Sequence, residues 1–274
     1  MARPVIALLT DFGTRDHAVG AMKGVALGIC PDVVCVDITH DIGPHDVLAA
    51  ALELAASYRY FPVGTIFMVV VDPGVGSGRR AIAAEAGGWR FVAPDNGVLT
   101  VVFKETPPKR VVELTERRYA RPTVSRTFEG RDRFAPASAW LAKGIDLSGL
   151  GGALTSWHVL AVPEPALGED RIVGEVLRVD RFGNLVTNVE RRIFERFAEG
   201  GGIEIVAGAQ KVGKVVAAYA DAEPGAVCAL FGSSEHLEVA VNGGSAAGRL
   251  DLARGARITI FRAQGRNGLP RLSS

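Results

Sequence analysis

The chain changes texture near residue 160, and that change restricts the fold more than any other feature. Before it, apolar runs alternate with segments of helical length: "VIALLT", "AVGAMKGVALGIC", "VVCVDIT" and "DVLAAALELAASYRYF", then "TIFMVVVD", "WRFVAPDN" and "GVLTVVFKE". "DVLAAALELAASYRYF" repeats its apolar residues at three- and four-residue spacings, as a helix does, and Asp46 is its natural N-cap. "FAPASAWLAKG" reads as a further helix, with Gly144 just past its end. A parallel strand pair needs a long crossover, so this alternation predicts a mainly parallel sheet with helices on both faces. After "LAVPEPALGED" the segments are short, alternating and closely spaced: "RIVGEVLRVD", "LVTNV", "GIEIVAG", "KVVAAYA", "AVCALFG", "HLEVAVN" and "ARITIFR". Turns rich in Gly, Asn and Asp separate them, and "ERRIFERFAEG" alone suggests a helix. This pattern predicts a smaller antiparallel β-barrel. The expected fold class is α/β, with an N-terminal domain over 1–160, a linker over 161–170 and a C-terminal barrel domain over 171–274.

Of the 274 residues, 48% are hydrophobic, enough to give both domains a core. A formal net charge of +1 leaves no basic stripe, so nucleic acid is not an expected partner. Cys30, Cys35 and Cys228 are too few and too scattered for a disulfide framework or a CxxC zinc site. "MARPVIALLTDFG" offers five consecutive apolar residues, too few for a signal peptide or a membrane span. A soluble cytoplasmic protein without a membrane partner is expected.

Several polar clusters sit where a strand should end, which is where open α/β sheets bind ligands. They are "LLTDFGTRDHAVG", "VDITHDIGPHDV", "VVVDPGVGSGRR" and "TFEGRDRFAPA". The barrel segments add "VDRFGNLVTNV" and "FGSSEHLEVAVNGGSAAG". Asp37, His40, Asp41, His45 and Asp46 are residue types that hold metals, but their spacing matches no HExxH or EF-hand pattern. "DPGVGSGRR" lacks the Lys of a phosphate loop, and a surface turn is its simpler reading. In "HLEVAVN", alternation places Leu237, Val239 and Val241 on a core face, with His236, Glu238, Ala240 and Asn242 opposite. From the residues alone that polar face is either solvated or ligand-lining.

Six motifs in order, "LLTDFGTRDHAVGAMKG", "VVDPGVGSGRR", "APDNGVL", "TFEGRDRFAPA", "RVDRFGNLVTN" and "GSSEHLEVAVNGGSAA", resemble the S-adenosyl-L-methionine hydroxide adenosyltransferases, relatives of fluorinase and chlorinase. The resemblance spans nearly the whole chain. It implies an α/β domain followed by a β-barrel domain. It also implies hydrolysis of S-adenosyl-L-methionine to adenosine and L-methionine by water or hydroxide attack at the ribose C5′, with no metal or other cofactor. It further implies a homotrimer with intersubunit active sites. On this resemblance Asp11 binds the ribose hydroxyls, a role suited to a carboxylate, and Asp16 and Asp180 face the methionine ammonium. Asn184 reads the adenine edge and Phe182 stacks on the ring. Ser233, Glu238 and the Val241–Asn242 backbone complete the ligand contacts, which makes the Glu238 face ligand-lining. Asp72 and Arg79 match two members of the family's Asp-Arg-His triad, which holds the attacking water.

The chain departs from the family pattern at one place. Where hydrolases of this family read Phe-His-Gly-Arg-Asp, it has Phe128, Glu129, Gly130, Arg131 and Asp132. Glu129 is therefore the expected third catalytic residue, flanking the water with Asp72 while Arg79 offsets part of the charge. The competing reading has Glu129 in solvent or paired with Arg131. Three other functions stand beside hydrolysis. A halogenase would use halide, which the charge of Asp72 disfavours. A binding module for adenosine or S-adenosylmethionine would have lost turnover. A metal-dependent hydrolase would use the Asp/His cluster.

Overall fold

The computed structural model describes residues 3–199 and 201–262 and divides the chain into two units, residues 1–162 and 163–274. The last twelve residues of the barrel domain expected over 171–274 lie outside the described residues.

The first unit is built on a six-stranded sheet. Its elements are β1 (Val5–Thr10), α1 (Ala18–Ile29), β2 (Val34–Thr39), α2 (Val47–Ser57), β3 (Ile66–Val70), β4 (Ala81–Ala86), β5 (Trp89–Pro94), α3 (Thr100–Glu105), β6 (Pro108–Glu113) and α4 (Ala135–Ala142). The strand order is β2-β1-β3-β5-β4-β6. The β1–β2, β1–β3 and β3–β5 pairs are parallel; β4 runs antiparallel to both β5 and β6. Only β4 therefore opposes the common direction, as the first strand of a tight hairpin with β5.

Period-two alternation explains why the strands are apolar throughout. Ile6 and Leu8 join Ile66, Met68 and Val70 in a core with Met22 and Ala26 of α1 and Ala139 of α4. Ala7 and Leu9 face the other way, with Phe67 and Val69, against Ala50 and Leu54 of α2 and Val102 of α3. Both faces are thus covered, as helical crossovers require. Asp46 caps α2, its carboxylate accepting the Ala49 N–H at 3.0 Å.

The second unit contains β7 (Ala166–Leu167), β8 (Arg171–Val179), β9 (Leu185–Glu190), α5 (Arg191–Ala198), β10 (Ile203–Ala207), β11 (Gln210–Val212), β12 (Val227–Phe231), β13 (His236–Val241), α6 (Ala246–Leu250) and β14 (Arg257–Arg262). Its sheet runs β11-β10-β14-β8-β9-β13-β12, with β7 paired to β8 and every named strand pair antiparallel. A bridge between Val215 and Ala229 brings the two ends together, so the sheet is a nearly closed barrel. The segment read as the strand "KVVAAYA" is different. Beyond that bridge it is irregular and ends in a 3-10 turn at Tyr219–Asp221. It instead covers the outer face of β12 and β13, where Val216 and Ala222 pack on Cys228, Leu230 and Ala240.

Candidate active site

In the first unit the parallel strands deliver their carboxyl ends to one edge, and the motif loops collect there. The loop after β3 starts at Asp72 and carries Arg79 near its end. Glu129 immediately precedes a π-helical turn, Gly130–Phe134, that runs into α4. Such turns recur at functional sites. Gly76 docks the two segments. Its φ is +74°, and a Cβ there would collide with the Arg126 carbonyl oxygen, so only glycine fits. Arg126 returns a bond to the Gly76 carbonyl, Nη2 to O, at 2.8 Å.

The docking brings Asp72, Arg79 and Glu129 together. Arg79 Nε donates to Asp72 Oδ1 at 2.9 Å and Oδ2 at 3.0 Å, and Arg79 Nη2 also donates to Asp72 Oδ2. The same Nη2 donates to Glu129 Oε2 at 2.6 Å. The Arg79 guanidinium lies 5.4 Å from the Phe134 ring centroid, within cation–π range. All three side chains are nearly enclosed, with 5–11% of their surface exposed. Burial by itself lowers the pKa of Arg79, but the bonds and charges of Asp72 and then Glu129 outweigh it, and the pKa is raised. The alternative pairing of Glu129 with Arg131 is not found. Arg131 instead forks onto buried Asp132, at 2.7 and 2.8 Å. The second cation beside Glu129 is Arg133, a residue the motif reading passed over. Its position four residues beyond Glu129 was the available signal.

Asp11 and Asp16 lie in the loop after β1. Asp11 Oδ2 accepts the His45 N–H at 2.8 Å, and its side chain is 8% exposed. Asp16 is exposed at the start of α1, where it accepts the Ala18 N–H at 3.0 Å. The Asp/His cluster is dispersed into separate structural roles. Asp37 pairs with Lys23 at 2.6 Å and lies 3.0 Å from His40, which also meets the Thr10 hydroxyl at 2.8 Å. Among the described residues, no group of three or more His, Cys, Asp and Glu side chains is placed to hold a metal ion.

The seven remaining candidates belong to the second unit. Asp180 organises the β8–β9 turn, its Oδ1 accepting the Phe182 and Asn184 N–H groups at 2.9 and 2.8 Å. Its Oδ2 accepts Asn184 Nδ2 at 2.8 Å. Phe182, at the tip, is 78% exposed. Asn184 Nδ2 also lies 3.4 Å from the Tyr219 hydroxyl, which donates to Glu238 Oε2 at 3.0 Å. Burial raises the Tyr219 pKa to about 12, with Glu238 adding to the effect. Burial likewise raises that of Glu238; the Tyr219 bond works against it and the Asp180 charge adds to it. Leu237, Val239 and Val241 face the core as alternation predicts. Ser233 is exposed in the β12–β13 turn. Asn242 spends its backbone N–H and C=O on Ala226 and Gly225 and its side-chain amide on Ala222. Tyr219 escapes a sequence reading because the composition of its segment predicts a strand, where the structure has a 3-10 turn.

Comparison with known proteins gives a consistent result. The SAM hydroxide adenosyltransferase N-terminal domain profile matches residues 6–151, and the C-terminal domain profile matches residues 174–259. The chain is 39% identical to an (R)-S-adenosyl-L-methionine hydrolase of Thermus thermophilus, across 94% of this chain and 100% of that one. It is 31% identical to a fluorinase of Nocardia brasiliensis, across 94% of this chain and 97% of that one. A crystal structure of an uncharacterized conserved protein from Thermotoga maritima matches with a TM-score of 0.89 at 37% identity, covering 94% of this chain and 100% of that one.

Proposed function

The chain belongs to the SAM hydroxide adenosyltransferase family, and from that membership we propose that it hydrolyses S-adenosyl-L-methionine to adenosine and L-methionine without a metal. The observation that carries this reading is the Asp72–Arg79–Glu129 cluster at the carboxyl edge of the first unit's sheet. Water attacks the ribose C5′ opposite the sulfur. The C5′–O bond forms as the C5′–S bond breaks, and the bonding pair leaves with sulfur as a neutral thioether, so no general acid is needed. The proton lost by the water goes to a carboxylate and then to solvent. Both Asp72 oxygens already accept bonds from Arg79, whereas Glu129 Oε1 accepts none among the described residues. Glu129 Oε1 is therefore assigned as the acceptor, with Asp72 and Arg79 holding it in place.

Asp11 keeps Oδ1 for the ribose hydroxyls while Oδ2 holds the His45 N–H. Asp16 and Asp180 supply negative charge for the ammonium. A carboxylate accepts only, so Asn184 must turn its NH₂ to Asp180. Its carbonyl is then left to accept from the exocyclic amine of adenine, with Phe182 stacking on the ring. Ser233, Glu238 and Val241 are assigned remaining contacts, and Asn242 is assigned one through its side-chain carbonyl, because its backbone groups and side-chain NH₂ already bond Ala226, Gly225 and Ala222. These ligand sets divide between the two units, which supports a homotrimer whose sites are completed by a neighbouring copy. A cytoplasmic location fits a chain in which, among the described residues, no helix is long and apolar enough to cross a membrane.

The halogenase reading has a specific obstacle, since Glu129 Oε1, the group assigned to meet the nucleophile, accepts hydrogen bonds and offers a halide no donor. The deciding experiment incubates purified protein with S-adenosylmethionine, with and without chloride, fluoride and chelator, and identifies the products. Adenosine and methionine in every arm are expected. A 5′-halo-adenosine, a chelator-sensitive reaction or binding without turnover would overturn the proposal.

A further inference from the structure

Arg79 serves two carboxylates, and one guanidinium balances only one of them. The missing charge stands four residues beyond Glu129. Arg133 Nη2 lies 3.7 Å from Glu129 Oε1, and Arg133 Nη1 donates to the Leu114 carbonyl oxygen at 3.2 Å. Its Nε is buried without a hydrogen-bond partner among the described residues. A buried N–H left unpaired is unfavourable, so hydrogen bonding alone does not account for this placement. Attraction to Glu129 does. The π-turn over Gly130–Phe134 sets the two side chains on one side, as neighbours four apart. At 3.7 Å the contact is an ion pair and not a hydrogen bond. Oε1 therefore feels the charge while keeping its lone pairs for a water.

We infer that Arg133 is a positioning residue for the hydrolysis: anchored on the Leu114 carbonyl, it completes the charge balance of Asp72, Arg79 and Glu129 and aims Glu129 Oε1 without touching substrate. This rests on the proposed reading of the site. The test measures kcat, KM and Tm for wild type, Arg133→Gln, Arg133→Lys, Glu129→Gln and the Arg133→Gln/Glu129→Gln double variant. Glutamine keeps a donor for Leu114 and drops the charge. Glu129→Gln should lower kcat by roughly a hundredfold, the usual contribution of a positioned base. Arg133→Gln should lower kcat roughly tenfold with KM nearly unchanged, a size usual for coupled neighbours. Arg133→Lys should recover most of the loss. In the Glu129→Gln background, Arg133→Gln should change kcat little, and the Tm shifts of the two singles should not add. Equal kcat losses in both backgrounds, wild-type kcat in Arg133→Gln, or no recovery by lysine would each overturn the inference. If Arg133→Gln does not fold, Arg133→Lys decides, and a kcat as low as that of Glu129→Gln overturns it. A wild-type protein that turns over no S-adenosylmethionine would sink the hydrolysis instead. The Tm cycle would still judge Arg133, with additive shifts overturning the pairing.

Discussion

Asp11 has a structural role beside the ligand role proposed for it. From sequence it reads as a loop residue whose loss costs the fold little, but its side chain is 8% exposed and anchors the His45 N–H. That bond holds the loop after β2 to the loop after β1, with His45 in the left-handed region at φ 66°. Asp11→Ala is expected to abolish measurable adenosine binding in calorimetry. It should also lower stability by roughly 1.5–3 kcal/mol, the range for hydrogen bonds to charged groups. Adenosine affinity within a few-fold of wild type would remove the ribose assignment. Glu238 makes a second prediction, in pH. Its folded-state pKa is raised by burial, so the folded protein favours the protonated form. Its contribution to stability is present below the ordinary value of 4.5 and is lost as pH rises through the raised folded value. The Tm of wild type relative to Glu238→Gln should therefore fall from about pH 4 towards neutrality. Thermal melts across that range check it, and a difference that grows with pH would contradict it.

At the level of elements, the "DPGVGSGRR" loop is a scaffold that docks on Arg126 and carries Asp72 and Arg79 of the proposed site. Proline and glycine identified a turn. Its docking on Arg126 depends on the close approach of Gly76 to the Arg126 carbonyl oxygen, which only the tertiary structure sets. Gly76→Ala has two costs, the left-handed backbone, about 1–2 kcal/mol, and a collision that pushes Glu129's segment away from Arg79. A lower Tm is expected, together with a loss of turnover larger than the loss of substrate affinity. Wild-type kinetics in this variant would show that the docking does not position the cluster. The segment after β11 teaches the converse. "KVVAAYA" has the composition of a strand, yet local alternation cannot tell a strand from a stretch that lies across its neighbours' outer face. Here Val216 and Ala222 pack on Cys228, Leu230 and Ala240 of β12 and β13. That placement brings the Tyr219 hydroxyl to Glu238 and Asn184.

On the scale of the whole molecule, the proposed catalytic cluster belongs to residues 1–162 and the proposed adenine contacts to residues 163–274. If neighbouring copies complete each other's sites, Asp72→Ala and Asn184→Ala damage different halves. Refolding the two inactive variants together should regenerate part of the activity, and light scattering should report a trimer. Confirmed mixed trimers without recovered turnover would place each site within one chain. The sequence by itself determined the two-part architecture, the strand-end position of the polar motifs and the family, because apolar periodicity and short motifs are local properties. Tertiary structure alone decided which charges meet. Arg131 and Arg133 stand two residues apart, yet one closes on Asp132 and the other faces Glu129. The spacing of four allows the Glu129–Arg133 pair, but its choice over Arg131 depends on the π-turn and on the Leu114 carbonyl from another part of the chain.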